Sequence, residues 1–276
     1  MGTTTTLPAG PAAQPYDPAL AAYEEMAVVY DAFTRAYDYE RFLSVIEQLA
    51  LQHGLAGRDV LDVACGTGKS FMPLLRRGYR VTACDLSPEM VRLAQSKSAG
   101  RANVVVADMR ALPQLGQFDL VTCLDDSINY LLTDDEVAAA LGGIARLLRP
   151  GGLLLFDLNS LRTYRSVFSQ TFASDEEGVF FCWRGDTSPE LDAGGEAAAT
   201  LEAFLPRAGG SWSRRCMRHV QRHHPRTTMS LLSAAAGLEV IKVWGQRPGV
   251  QLDPIPCEHE HTKLLYLARR STPTAP

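Results

Sequence analysis

One run of residues constrains this chain more than any other: Val60-Leu61-Asp62-Val63-Ala64-Cys65-Gly66-Thr67-Gly68. Apolar residues around a single acid read as the end of a buried parallel strand, and small residues follow at once. Gly66 and Gly68 free the backbone and leave no side chain between the main chain and an approaching ligand. From Lys69 through Leu75 the pattern turns helical, with Thr67 placed to cap the helix. A strand, a tight glycine turn and a helix N-terminus make a seat of nucleotide size.

What is missing narrows the ligand. A dinucleotide fingerprint needs a third glycine where Phe71 stands, and a phosphate loop needs one at Val63. A ligand that approaches the turn closely but carries no phosphate fits better. The next strand, Tyr79 to Cys84, ends at Asp85, an acid placed to accept both hydrogen bonds of a ribose diol. A third, Val104 to Ala107, ends at Asp108-Met109, where an acid suits an adenine amino group.

In their order and spacing, Asp62 to Gly68, Asp85, Asp108-Met109 and Leu148-Arg149-Pro150-Gly151-Gly152 resemble the motifs of class I S-adenosylmethionine-dependent methyltransferases. The resemblance spans about residues 25–270, and it departs at Ala64, where many members carry glycine. It implies S-adenosylmethionine as the cofactor. The residues it assigns to the turn are Asp62, Ala64, Cys65, Gly66 and Gly68. To the following strand ends it assigns Asp85, Leu86, Met90, Asp108, Met109, Arg110 and Leu124. Similar enzymes lay tyrosines of their N-terminal helices over the methionine carboxylate, which makes Tyr30, Tyr37, Tyr39 and Arg41 candidates here.

The chain of 276 residues is 46% hydrophobic, enough for one large domain or a domain with a cap. The expected fold is α/β: a doubly wound, mostly parallel seven-stranded sheet of the Rossmann-like methyltransferase type. An N-terminal helical lid and a small antiparallel β insertion complete it. Residues 1–18 read as a disordered tail and 19–56 as the lid, with a break near 34–39. Residues 57–160 and 225–270 read as the core, its strands near 59–63, 79–84, 103–107, 118–123 and 152–158. The resemblance implies that Leu238–Trp244 and Lys263–Arg269 form a reversed hairpin at its end. Residues 161–224 break the alternation, and three strands at 179–183, 198–205 and 212–221 read as an insertion over the acceptor site.

A net charge of −4 argues against a nucleic-acid surface, and no apolar run reaches the ~18 residues of a membrane span. The six cysteines are scattered without a CxxC pair, as suits a reducing compartment, and no secretory leader opens the chain, so the expected location is cytoplasmic. Cys257-Glu258-His259-Glu260-His261 has metal-like composition but lies far from the motifs, and no metal is assigned.

The acceptor side rests on two stretches. Leu124-Asp125-Asp126-Ser127-Ile128-Asn129-Tyr130 follows the fourth strand, where the resemblance puts the transferable methyl. It lacks the Pro-Pro-aromatic motif of amino-DNA methyltransferases, which removes that substrate class. Asp125 or Asp126 suits holding an ammonium or taking a proton, while Asp126 suits equally well an N-cap. His219, Gln221 and His223 share one strand face. The resemblance implies that this strand lies near the acceptor pocket, which makes His219 a candidate base or substrate contact. Tyr30, Asp125 and His219 are thus the candidate catalytic residues. The expected reaction methylates a small molecule, foremost an amine nitrogen of a secondary metabolite in antibiotic biosynthesis. Methylation of a hydroxyl or phenol, and a non-methylating cyclase on the same fold, are the alternatives. The partner is a small-molecule acceptor, with neither nucleic acid nor membrane expected and a homo-oligomer left open.

Overall fold

The structure, a computed structural model, describes residues 17–272. Three helices come first: α1 (Pro18–Met26), α2 (Tyr30–Phe33) and α3 (Tyr39–Gln52). The core follows as β1 (Asp59–Val63), α4 (Met72–Arg76), β2 (Arg80–Asp85), α5 (Pro88–Ser98), β3 (Asn103–Val106), β4 (Phe118–Cys123), α6 (Asp134–Leu147) and β5 (Leu148–Asn159). After α7 (Leu161–Ser166) come β6 (Thr171–Glu176), β7 (Val179–Gly185), β8 (Glu196–Pro206) and β9 (Trp212–Arg222). The chain returns through α8 (Arg226–Ala235), β10 (Leu238–Arg247), β11 (Gln251–Asp253) and β12 (Lys263–Arg270). No helix of the described residues is long and apolar enough to cross a membrane.

The main sheet runs β11-β10-β12-β5-β4-β1-β2-β3. Strand β1 lies between β2 and β4 in parallel register, Val60 opposite both Val81 and Leu120. Its side chains alternate between two cores, Val60 to one face and Leu61 and Val63 to the other. That double burial is why Val60, Leu61 and Val63, which point to opposite faces, are all apolar. Helix α3 covers the first face with Phe42, Leu43 and Ile46, all fully buried, contributing about 5–9 kcal/mol as an upper estimate. Helix α6 covers the second with Val137, Leu141 and Ile144, its start fixed by a Thr133–Glu136 capping box.

Strand β12 runs antiparallel between β5 and β10, pairing Lys263 with Asn159 and Leu265 with Asp157. Its first residue therefore lies at the carboxyl edge of the parallel strands, where the loops of β1, β2 and β4 also emerge. The insertion is a separate antiparallel sheet, β6-β7-β8-β9. Its inner face, with Phe181, Trp183, Leu201 and Met217, packs on Ala22, Met26 and Val29 of the N-terminal region. The lid and the insertion thus share one small core above the sheet edge.

Several local expectations change. The insertion has a fourth strand, β6, and the main sheet gains a three-residue eighth strand, β11, in what reads as loop. Both are edge strands with few buried side chains, so their alternation signal is weak. The helix after the glycine turn starts at Met72, and Thr67 does not cap it: its hydroxyl donates to Asp31 Oδ1 at 2.6 Å. Asp17 and Pro18, read as tail, are instead the cap and first residue of α1, Asp17 accepting from Leu20 N at 2.9 Å. The disorder expected for residues 1–16 lies outside the described residues.

Candidate active site

Two cavities meet at the carboxyl edge of the sheet. The first, about 890 Å³ of free space counted out into its open mouth, lies against the β1 turn and the ends of β2, β3 and β4. The second, about 1190 Å³ on the same measure, lies between the sheet edge, the lid and the insertion. Tyr23, Tyr30, Tyr39, Asp125 and Tyr130 line both and form the passage between them.

The first cavity is built on strained backbone. Ala64 sits at φ 57° and Gly66 at φ 52°, the left-handed region. A side chain at such a position costs about 1 kcal/mol, which explains why glycine is common where Ala64 stands. A Cβ at Gly66 would meet the Tyr30 ring at 3.7 Å, ordinary van der Waals contact, so the turn calls for glycine through its φ rather than for space. Gly66 N donates to Asp85 Oδ2 at 2.7 Å and Ser87 N to Oδ1 at 2.9 Å. Burial pushes the Asp85 carboxyl up to about 6, against the pull of these backbone donors. Both oxygens are acceptors at the cavity wall, and two acceptors are what the hydroxyls of a ribose diol require.

The cavity wall also holds Cys65, Leu86, Met109 and Leu124, apolar surface for a base and a thioether chain. Asp108 and Arg110 line it as an ion pair of 2.7 Å, and Arg110 reaches on to Asp17 at 2.5 Å and Glu136 at 3.1 Å. Arg110 therefore fastens the start of α1 over the cleft rather than standing free. Lys69 fastens α2 in the same way, donating to the Thr34 carbonyl and hydroxyl, each at 2.9 Å.

Other expected cofactor residues stand behind the cavity. Asp62 is buried and accepts from Thr122 Oγ1 at 2.6 Å and Ser70 Oγ at 2.5 Å, tying β1 to β4 and to the turn. Burial pushes its carboxyl to about 7. Gly68, at φ 89°, packs against Phe71, and Met90 is wholly buried. Arg41 is a correction: it is exposed on α3 and lines neither cavity, because the turn of α3 that carries Tyr39 inward carries Arg41 outward. Tyr37 lines the second cavity rather than the first.

The second cavity holds an acid cluster that sequence reasoning only half anticipated. Asp125 and Asp126 are consecutive residues at φ 57° and 52°, strain of about 1–3 kcal/mol each that recurs at functional sites. Tyr39 donates to Asp125 Oδ2 at 2.6 Å. Lys263 Nζ lies 2.7 Å from Asp126, 3.5 Å from Asp157 and 3.8 Å from Asp125. Asp126 also accepts from Gln221 Nε2 at 2.6 Å, and its backbone N donates to Asp157 Oδ1 at 2.6 Å. Its side chain makes no N-cap bond, which removes the capping alternative. Burial lifts Asp125 above the usual carboxylate range and Asp157 to about 6, with Lys263 opposing both. Burial disfavours the Lys263 ammonium, but the surrounding carboxylates hold its pKa well above the ordinary value. Three carboxylates face one ammonium, so the cluster attracts a further cation. Of the three, Asp125 is the one that reaches both cavities.

His219 lies in the same cavity, 2% exposed, with Nδ1 2.9 Å from the Tyr130 hydroxyl and its ring stacked on Trp183. Burial lowers its pKa to about 4, so it is a neutral imidazole and a weak base. His223 turns elsewhere, accepting from Gly194 N at 3.1 Å and bonded to Glu258. The 257–261 stretch is knit into structure, His261 Nδ1 accepting from Cys257 N at 3.0 Å. Among the described residues no group of three or more His, Cys, Asp or Glu is arranged to hold a metal. Lys263 and Asp157 escaped the sequence reading because a lone charge in an apolar strand gives no periodic signal. That breach of apolarity was itself the available clue.

Residues 60–152 match the family described as a methyltransferase domain. A protein of Geobacillus sp. (strain WCH70), named as a candidate methyltransferase, is 34% identical over 166 residues, 58% of this chain and 67% of that protein. The crystal structure of a S-adenosylmethionine-dependent methyltransferase from Clostridium acetobutylicum ATCC 824 superposes with a TM-score of 0.76 at 25% identity, covering 90% of this chain and 99% of that one. The sugar N-methyltransferase KedS8 from Streptoalloteichus sp. ATCC 53650 shares the fold, with a TM-score of 0.68 at 23% identity over 98% and 99% of the two chains.

Proposed function

Because this chain belongs to the S-adenosylmethionine-dependent methyltransferases, we propose that its acceptor is an amine nitrogen of a small molecule, a secondary metabolite. When bound, S-adenosylmethionine supplies a methyl carbon made electrophilic by its sulfonium. Asp85, Asp108 and the 64–66 turn are the residues to hold it in the first cavity, with Tyr30 closing over the turn.

One observation carries the amine reading. The Asp125 carboxylate stands in the passage between the cavities, in a cluster with more carboxylates than ammoniums. It draws in a substrate ammonium, orients it through its free lone pairs, and takes its proton before the nitrogen attacks. Burial lifts its pKa above the usual carboxylate range, which makes it a stronger base than an exposed carboxylate. Tyr30, Tyr39 and Tyr130 surround the same point, raised by burial and therefore neutral hydroxyls that position without carrying charge. Phe168, Phe172 and Trp183 give this cavity an aromatic wall that suits a small molecule. Phenol methylation favours a histidine base close to an orienting acid, and His219, with a pKa near 4 and its Nδ1 on the Tyr130 hydroxyl, serves poorly.

The test is release of S-adenosylhomocysteine with a panel of small amines and phenols, and mass spectrometry of each product. The expected product is an amine one methylene heavier. Asp125→Asn should lower kcat/KM by the ~10²–10⁴-fold typical of a lost general base. Methyl found on oxygen, or a silent Asp125→Asn, would overturn the reading.

A further inference from the structure

The second cavity is lined by an imidazole that Asp125 chemistry leaves idle. His219 Nε2 is buried and has no hydrogen-bond partner among the described residues, although the ring lines the cavity. Buried imidazole nitrogens are normally paired, so one left unpaired on a ring that lines a ligand cavity points to a ligand. The ring cannot swing away to find a partner. Trp183 stacks on it at 5.8 Å and 24°, and Tyr23 packs edge-on at 5.8 Å and 80°.

The other nitrogen decides which proton the open one carries. Nδ1 lies 2.9 Å from the Tyr130 hydroxyl. A phenol is a stronger acid than a neutral imidazole N–H, so Tyr130 donates and Nδ1 accepts. The ring is neutral because burial disfavours its charge, so its one proton sits on Nε2. The open nitrogen is therefore a donor without a lone pair, and it cannot take a proton from the acceptor.

We propose that His219 is a specificity-determining donor whose Nε2–H holds a neutral oxygen, hydroxyl or carbonyl, of the acceptor. The substrate class is then an amine bearing an oxygen function elsewhere on the same skeleton. This rests on the amine reading of Asp125: one end of the molecule is read as a cation there, the other as a hydrogen-bond acceptor at His219. The pair of contacts sets the acceptor's orientation in the passage, so losing the oxygen misplaces the nitrogen.

Two measurements test it. Long-range proton–nitrogen NMR of the full chain with S-adenosylhomocysteine bound reads the tautomer, His219 being assigned by its absence in His219→Gln. A proton on Nε2 with Nδ1 accepting supports the proposal; a proton on Nδ1, or a cationic ring at neutral pH, overturns it. The second compares the isomeric aminocyclohexanols with cyclohexylamine as acceptors. The wild-type chain should favour at least one amino alcohol by at least ~10-fold in kcat/KM. His219→Phe should bring that ratio near one, mainly through KM, and His219→Gln, which keeps a donor at the same reach, should restore part of it. A ratio unchanged in His219→Phe overturns the proposal, as does an equal loss of kcat on both probes, which would mark a base. No preference in the wild-type chain would also overturn it. Absence of turnover with every amine counts against the amine reading, and the NMR result then decides on His219 separately.

Discussion

Replacing Lys263 with methionine removes the one ammonium from a cluster of three carboxylates, a change of charge with little change of volume. At its separations of 2.7 Å from Asp126 and 3.5 Å from Asp157, each attraction is about 5–6 kcal/mol gross at an effective dielectric near 20. Burying the ammonium offsets much of that, and breaking a buried pair costs about 3–5 kcal/mol net. The variant can recover part by protonating a carboxylate. Asp157 already stands near 6 with Lys263 pulling it down, so without Lys263 its pKa rises further. A carboxyl raised in the folded state stabilises below its unfolded pKa, and that stability is lost as pH rises through the folded value. The deficit against the wild-type chain should therefore be smallest below about pH 6 and grow above it, by up to ~1.4 kcal/mol per pH unit. Urea denaturation across that range measures it directly. A deficit under ~1 kcal/mol at alkaline pH, or one independent of pH, would refute the claim that Lys263 neutralises the cluster. Lys263→Arg, which keeps the charge, should recover most of the loss.

Asp85→Ala removes a charge-assisted acceptor in the first cavity worth ~1.5–3 kcal/mol, so cofactor affinity by calorimetry should fall about 10- to 150-fold. In the wild-type chain the same affinity should weaken as pH drops through about 6, where Asp85 takes up a proton. Asp17→Ala deletes both the α1 cap and the Arg110 ion pair; stability should fall by about 1 kcal/mol, and cofactor affinity several-fold, whereas an unchanged affinity would reduce Asp17 to a cap. Turnover should survive chelation by EDTA, and activity lost to EDTA and restored by magnesium or zinc would reverse that expectation.

The core was readable because its signals are local. Asp59–Val63 and Phe118–Cys123 are apolar runs buried on both faces, and their boundaries agree with the sequence reading to the residue. The alternation of strands with helices implied a parallel sheet. The order Asp85, then Asp108, implied acids at successive strand ends, and both line the first cavity. The glycine positions carried the turn, since positive φ and close approach are properties of one residue and its neighbours. Edge strands β6 and β11 were missed because few of their side chains are buried, and burial is what writes period two into a sequence.

Tertiary structure alone decided the acceptor side. Lys263 is 138 positions after Asp125 and reaches it because an antiparallel strand starts where parallel ones end. No spacing rule along the chain expresses that meeting. Arg41 and Tyr39 are two residues apart, about 200° around a helix, so the fold sends one to solvent and the other to Asp125. His219 read as either a base or a substrate contact, and the choice turned on its enclosure by Trp183, Tyr23 and Tyr130, which makes it a neutral group. The sequence determined which atoms could serve as acids, bases and donors. Burial and cross-chain proximity, which depend on the whole fold, determined the charge each carries.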